Sequence, residues 1–151
     1  MPACFPTRVV AGITVPDTPL INKALALARK HLDETLLNHV LRSWLFGQFI
    51  ASNIPELQHR DQELHAVCAI LHDLGWDKTG EFVSKDKRFE VDGANAARDF
   101  IIREGDKKEW DKHRLQLAWD SSQWAPYLAL WNSSEGLSQY CSTRFPKYLI
   151  Y

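Results

Sequence analysis

The longest periodic pattern in the chain is ETLLNHVLRSWLFGQFIAS, where Leu37, Val40, Leu41, Trp44, Leu45 and Phe49 recur at spacings of three and four. That period predicts an amphipathic helix, with Asp33 as its N-cap and Pro55 closing the region. Upstream, Asp17 is placed to cap INKALALARKHL, with Pro19 in the first turn. Downstream, Asp61 opens QELHAVCAILHDLG, with Leu64, Val67, Cys68 and Leu71 on one stripe and Gly75 as the stop. After the charged loop WDKTGEFVSKDKRFEV, Asp92 is the expected cap of GANAARDFIIREG, which Gly105 ends. A fifth helix is predicted from about Lys107 to Asp120. No alternating strand pattern competes and no internal repeat is visible. The expected class is all-α, a compact helical bundle.

Composition changes this picture at one place. Between 121 and 151 the only charged residues are Glu135, Arg144 and Lys147, while Ser121, Ser122, Ser133, Ser134, Ser138 and Ser142 cluster there. A short helix from Pro126 is the most that Gly136 and Pro146 leave room for. The organisation read from this is an N-terminal extension over 1–16, a helical domain over 17–120, and a divergent tail rich in Ser and aromatics over 121–151.

Charge and cysteines narrow the function classes. A formal net charge of −1 argues against nucleic-acid binding by bulk electrostatics. No run of 18 apolar residues predicts a membrane span, and the N-terminus lacks a signal-peptide pattern. Cys4, Cys68 and Cys141 are odd in number and widely spaced, so no disulfide framework is expected and the setting is read as intracellular and cytoplasmic.

The chemistry centres on the adjacent pair His72-Asp73, at the end of the most apolar helix. An imidazole nitrogen and a carboxylate oxygen suit a divalent ion such as zinc, iron or manganese. Alone, the pair reads more readily as a histidine on the helix dipole and an exposed aspartate in the turn. His39 lies one helix upstream among Leu37, Val40 and Leu41; antiparallel packing would bring it to the pair, and otherwise it is a core residue. Arg42, one turn from His39, either steadies an anionic group at such a site or pairs with a surface carboxylate. Lys78, Ser84, Lys87 and Arg88 either line a pocket or form a solvated loop. Glu90 is a candidate supporting carboxylate. His65 is two turns from His72 and a poor co-ligand; His31, His59 and His113 are expected at the surface, and Cys68 in the core.

The strings NHVLRS (38–43) and AVCAILHDLG (66–75) resemble the first two ligand segments of the HD-domain superfamily of metal-dependent hydrolases. The stretch WDKTGEFVSKDKRFEVDGANAARDF (76–100) resembles its cyanamide hydratase-like branch. The resemblance, over roughly 20–120, implies an all-helical fold holding one divalent metal, zinc in that branch. His39, His72 and Asp73 would be ligands, joined by a later Asp. It also implies a water activated by the metal. In cyanamide hydratases that water adds to a nitrile carbon to give urea. Other members hydrolyse phosphate esters, often of nucleotides. Asp73 and Arg42 are the catalytic candidates, and Lys78 and Glu90 the pocket or supporting ones.

The tail departs from the family pattern. No His occurs after His113, no Asp after Asp120, and Glu135 is the only later side-chain carboxylate. The family's last ligand is therefore missing, which favours a truncated or frame-altered member over a divergent functional tail. Two functions are expected from these residues. One is a metal-dependent hydratase or hydrolase acting on a small polar molecule. The other is a non-catalytic remnant or binding module with an incomplete metal site, whose tail aromatics cover the open groove or make a homo-oligomer.

Overall fold

The computed structural model describes residues 5–123. Five helices make up the body: α1 (Pro19–His31), α2 (Glu34–Ser52), α3 (Gln62–Leu71), α4 (Phe89–Glu104) and α5 (Lys112–Gln123). The expected all-α class holds. The short helix expected from Pro126 lies outside the described residues, as does the tail from Trp124 onward.

One feature escaped the periodicity. Thr7–Val10 (β1) and Ile13–Pro16 (β2) form an antiparallel hairpin in which Val10 faces Ile13 and Thr7 faces Pro16. Ala11 and Gly12 both have positive φ, 50° and 80°, as a two-residue turn matching the strand twist requires. Four-residue strands are too short for alternation to show. The signal was β-branched residues on both sides of an Ala-Gly pair. Val15 is fully buried and joins the main core.

Local capping explains most helix starts. The Asp33 carboxylate accepts from the Leu36 N–H at 2.9 Å and Asp61 from Leu64 at 2.9 Å, as expected. α1 is capped by Thr18, whose hydroxyl accepts from Ile21; Asp17 instead binds the Asn22 side chain. α5 begins at Lys112 rather than Lys107 because the Asp111 carboxylate takes the Arg114 N–H at 2.8 Å. α4 starts a turn earlier than expected, at Phe89, and Asp92 is no cap: it is buried in the first turn, accepting from the Ser84 N–H and hydroxyl.

α3 is the central element. Every residue from Glu63 to Leu71 is buried, as befits a helix covered on all sides. α1, α2, α4 and α5 pack around it. Its buried Glu63 is neutralised by Arg114, which also grips Asp61 with two nitrogens and stacks over Trp110.

The stripe on α2 differs from the expected one at its C-terminal end. Val40 and Trp44 are buried and Leu37, Leu41 and Leu45 pack against the core, but Phe49 is exposed and Gln48 takes the inward position. Burial of an amide is tolerable where partners satisfy it; Gln48 is bonded by Arg60 and by Gln62. His31, expected at the surface, is fully buried because Asp77 meets its Nδ1 at 3.1 Å.

His65 makes a pH prediction. It is fully buried on α3, its ring directly against Gly47. Burial and the nearby Arg60 cation push its pKa down to about 4, against a weaker pull from the Trp44 carbonyl. The unfolded chain, with an ordinary value of 6.5, binds the extra proton between the two values. His65 therefore contributes stability that is present above pH 6.5 and lost as pH falls toward 4. The loss is about 3 kcal/mol at 1.36 kcal/mol per unit. Urea melts from pH 7 to 4 should show it, and His65→Gln should flatten that slope. An unchanged slope in the variant assigns the acid sensitivity elsewhere.

Candidate metal centre

α3 ends at Leu71 with His72 as its C-cap, and the chain turns through a 3-10 segment, Leu74–Trp76. Asp73 sits in that bend at φ −96°, ψ 13°, the sparsely allowed bridge region where many active-site residues are found. The bend is held from outside by α4. A methyl group at Gly93 would overlap the His72 carbonyl oxygen, and one at Gly75 would overlap the Phe89 carbonyl oxygen. Backbone thus meets backbone at both points. Neither glycine was singled out for this close approach. The run of small residues in GANAA was the available signal.

α2 runs antiparallel to α3, so His39 arrives opposite the bend. Its Nε2 is 3.5 Å from Asp73 Oδ2, and His72 Nε2 is 3.4 Å from the same oxygen. The two rings meet edge to face at 5.4 Å between centroids. One ligand atom from each of the three residues lies within 4.8 Å of the others. Among the described residues no fourth His, Cys, Asp or Glu belongs to this group.

The electrostatics favour ligation. His72 Nδ1 donates to the Ala69 carbonyl at 2.9 Å, which leaves the Nε2 lone pair facing Asp73. Burial drives the His72 pKa below its ordinary value, over the opposing pull of Asp73 and the Ala69 carbonyl, with His39 adding to the lowering. The ring is thus neutral near pH 7, the form that binds metals. The contacts to Asp73 exceed the 2.7–2.9 Å typical of charge-assisted hydrogen bonds. They match instead the edge of a tetrahedron with bonds of about 2.1 Å, which is about 3.4 Å. Two imidazoles and a carboxylate at this spacing fit a divalent ion. His39 is half exposed while His72 and Asp73 are buried, so the site opens on the α2 side.

The other singled-out residues fall around this group or away from it. Arg42 is exposed one turn along α2, with no ion pair or hydrogen bond among the described residues. Lys78 straps the loop to the end of α1: its Nζ donates to the Leu32 carbonyl at 3.0 Å and its N–H to His31. One Glu90 oxygen pairs with Arg88; the other is buried with no hydrogen-bond partner among the described residues. Ser84 binds Asp92, and Lys87 pairs with its neighbour Asp86. Cys68 is buried in the core, and burial pushes its thiol up to about 12.

The model of the HD domain matches residues 36–127, a span that contains all three converging residues. The chain belongs to the HD domain family. HD domains typically bind divalent metals, and the His39–His72–Asp73 group is where this one can do so. No curated protein and no solved structure matches the chain. No helix among the described residues of this HD domain is long and apolar enough to cross a membrane.

Proposed function

We propose that this HD-domain protein is a metal-dependent hydratase of the cyanamide hydratase-like branch, acting on a small polar nitrile. His39, His72 and Asp73 would hold one divalent ion, zinc. The observation that carries this reading is the convergence of the three ligand atoms. The string FEVDGA at 89–94 supports the branch. Bound there, a divalent ion supplies a Lewis acid that polarises a substrate and lowers the pKa of a water.

The chain's own residues supply the rest. The Ala69 carbonyl fixes the tautomer of His72 and so the direction of its Nε2 lone pair. Asp73, whose Oδ2 lies between the two imidazoles, would supply the carboxylate ligand. The half-exposed His39 leaves its side open to a small molecule, and burial of the other two keeps solvent from behind. Arg42, free of any carboxylate among the described residues, orients the dipolar or anionic end of the substrate.

The test is turnover by the zinc-loaded full chain. Urea formed from cyanamide supports the reading. Stoichiometric metal with no urea, but phosphate released from a nucleoside monophosphate, moves the protein to the phosphohydrolase arm of the family. Arg42→Ala should raise KM by about tenfold with kcat nearly kept, the value of one charged hydrogen bond. An equal loss in kcat instead would place Arg42 in the transition state.

A second reading rests on the absence of a fourth ligand in the group among the described residues. It makes the protein a binding module that holds metal weakly and turns nothing over. Metal bound without product from either substrate is its signature.

A further inference from the structure

A cavity lies between α1 and α4, and none of His39, His72 and Asp73 lines it. Its volume is about 200 Å³, below the roughly 300–1,000 Å³ of sites for drug-sized ligands, so its occupant is small. Leu27 of α1, Ala96 and Phe100 of α4, and Phe82 of the loop before α4 give it apolar walls. It is bounded at both ends. One turn before Leu27, Lys23 reaches across to Glu104 at 3.0 Å. One turn after Leu27, His31 packs its ring on Phe82 with centroids 4.7 Å apart. The length between these two contacts is about 12 Å along the helix.

Asp92 puts a buried charge into this wall, at 6% exposure. Its Oδ2 accepts from the Ser84 N–H at 2.7 Å and the Ser84 hydroxyl at 3.0 Å, which fixes the side chain. Oδ1 meets no hydrogen-bond donor and no cation among the described residues. The other charges of the lining are engaged: Arg103 binds Glu104 at 2.9 Å, and the exposed Asp99 stands 3.7 Å from Arg98. A buried carboxylate loses hydration that only donors and a positive charge restore. Ser84 supplies donors but no charge.

An alkylammonium supplies what is missing. Its N–H and its charge suit Oδ1, and its hydrocarbon stem suits the apolar walls, the division of labour that a lysine side chain shows. A divalent ion fits less well: it would leave those walls uncovered, and among the described residues Asp92 belongs to no group of three metal-ligating side chains. Ala96 leaves the room, because a longer side chain there would fill it.

We infer that the cavity between α1 and α4 binds a small primary alkylammonium, with its N–H donated to Asp92 Oδ1 and its stem along Leu27, Phe82 and Phe100. This holds whatever the metal centre turns over. The probe is n-butylammonium, with n-butanol as its neutral control. Each is titrated into the full chain while the amide NMR shifts of Phe82, Ser84 and Phe100 are followed. The ammonium should saturate near millimolar and bind about tenfold tighter than the alcohol, the value of one charged hydrogen bond. Asp92→Asn keeps an acceptor for Ser84 and removes the charge, and should bring the ammonium down to the level of the alcohol. Ala96→Leu fills the space with Asp92 intact, and should abolish saturation by either; it carries the test should Asp92→Asn fail to fold by circular dichroism. Shifts that do not saturate, an alcohol that binds as tightly, or unchanged ammonium affinity in either folded variant would overturn the inference. So would magnesium ion moving these amides where the ammonium does not.

Discussion

Asp73→Ala leaves a folded protein that no longer retains stoichiometric metal. Asp73 Oδ2 is the corner common to both imidazoles, so its removal takes away the only carboxylate in the group and leaves two histidines with no anionic partner. The loss should exceed the roughly 10–100-fold expected from deleting a merely supporting hydrogen bond. His72→Ala should be nearly as severe, because that ring is buried and held in register by Ala69. His39→Ala, on the exposed side, should retain the most residual metal. Elemental analysis of the purified variants reads this order directly. Thermal unfolding reads it independently. At zinc a hundredfold above Kd the wild type gains about 2.7 kcal/mol, a shift of several degrees in Tm, and Asp73→Ala gains none. Metal content unchanged in Asp73→Ala, with the fold intact, removes the centre and the hydratase reading with it.

What the sequence made legible was mostly local. Asp33 and Asp61 cap the helices they precede because an N-cap acts over three residues. His72 and Asp73 are adjacent, so their joint presence needed no tertiary knowledge. His39 was legible only through the antiparallel α2–α3 pairing and the family pattern, and the structure brings it to the same oxygen. The misplaced residues share one cause: a distant partner decides their environment. His31 reads as a terminal, polar histidine until Asp77 reaches it across 46 positions. Phe49 reads as part of the inward stripe until Arg60 and Gln62 satisfy a buried Gln48, which takes the inward position instead. Lys78 reads as a loop cation, and its ammonium finds the Leu32 carbonyl instead. Asp92 had the composition of a cap, but its carboxylate holds Ser84 and the helix passes beneath it.

Gly93→Ala should destabilise the protein although helix propensity favours it. Alanine in a helix interior is worth about 1 kcal/mol over glycine, and Gly93 lies within α4. Against that, its new methyl meets the His72 carbonyl oxygen. This is backbone, so no rotamer change relieves the overlap; α4 must lift from the bend. Overpacking of this kind costs about 3 kcal/mol, which leaves a net loss of about 2 kcal/mol and a fall in Tm of roughly 6 °C. The displacement also carries His72, so zinc affinity falls although residue 93 touches no ligand atom. Gly75→Ala attacks the same seam from the other side, through the Phe89 carbonyl. Once either variant has separated α4 from the bend, the second clash has little left to disturb. The double variant should therefore lose less than the sum of the two singles. Full additivity, or a Gly93→Ala protein that melts at or above the wild-type temperature, would show that the seating of α4 does not hold the His72–Asp73 bend in place.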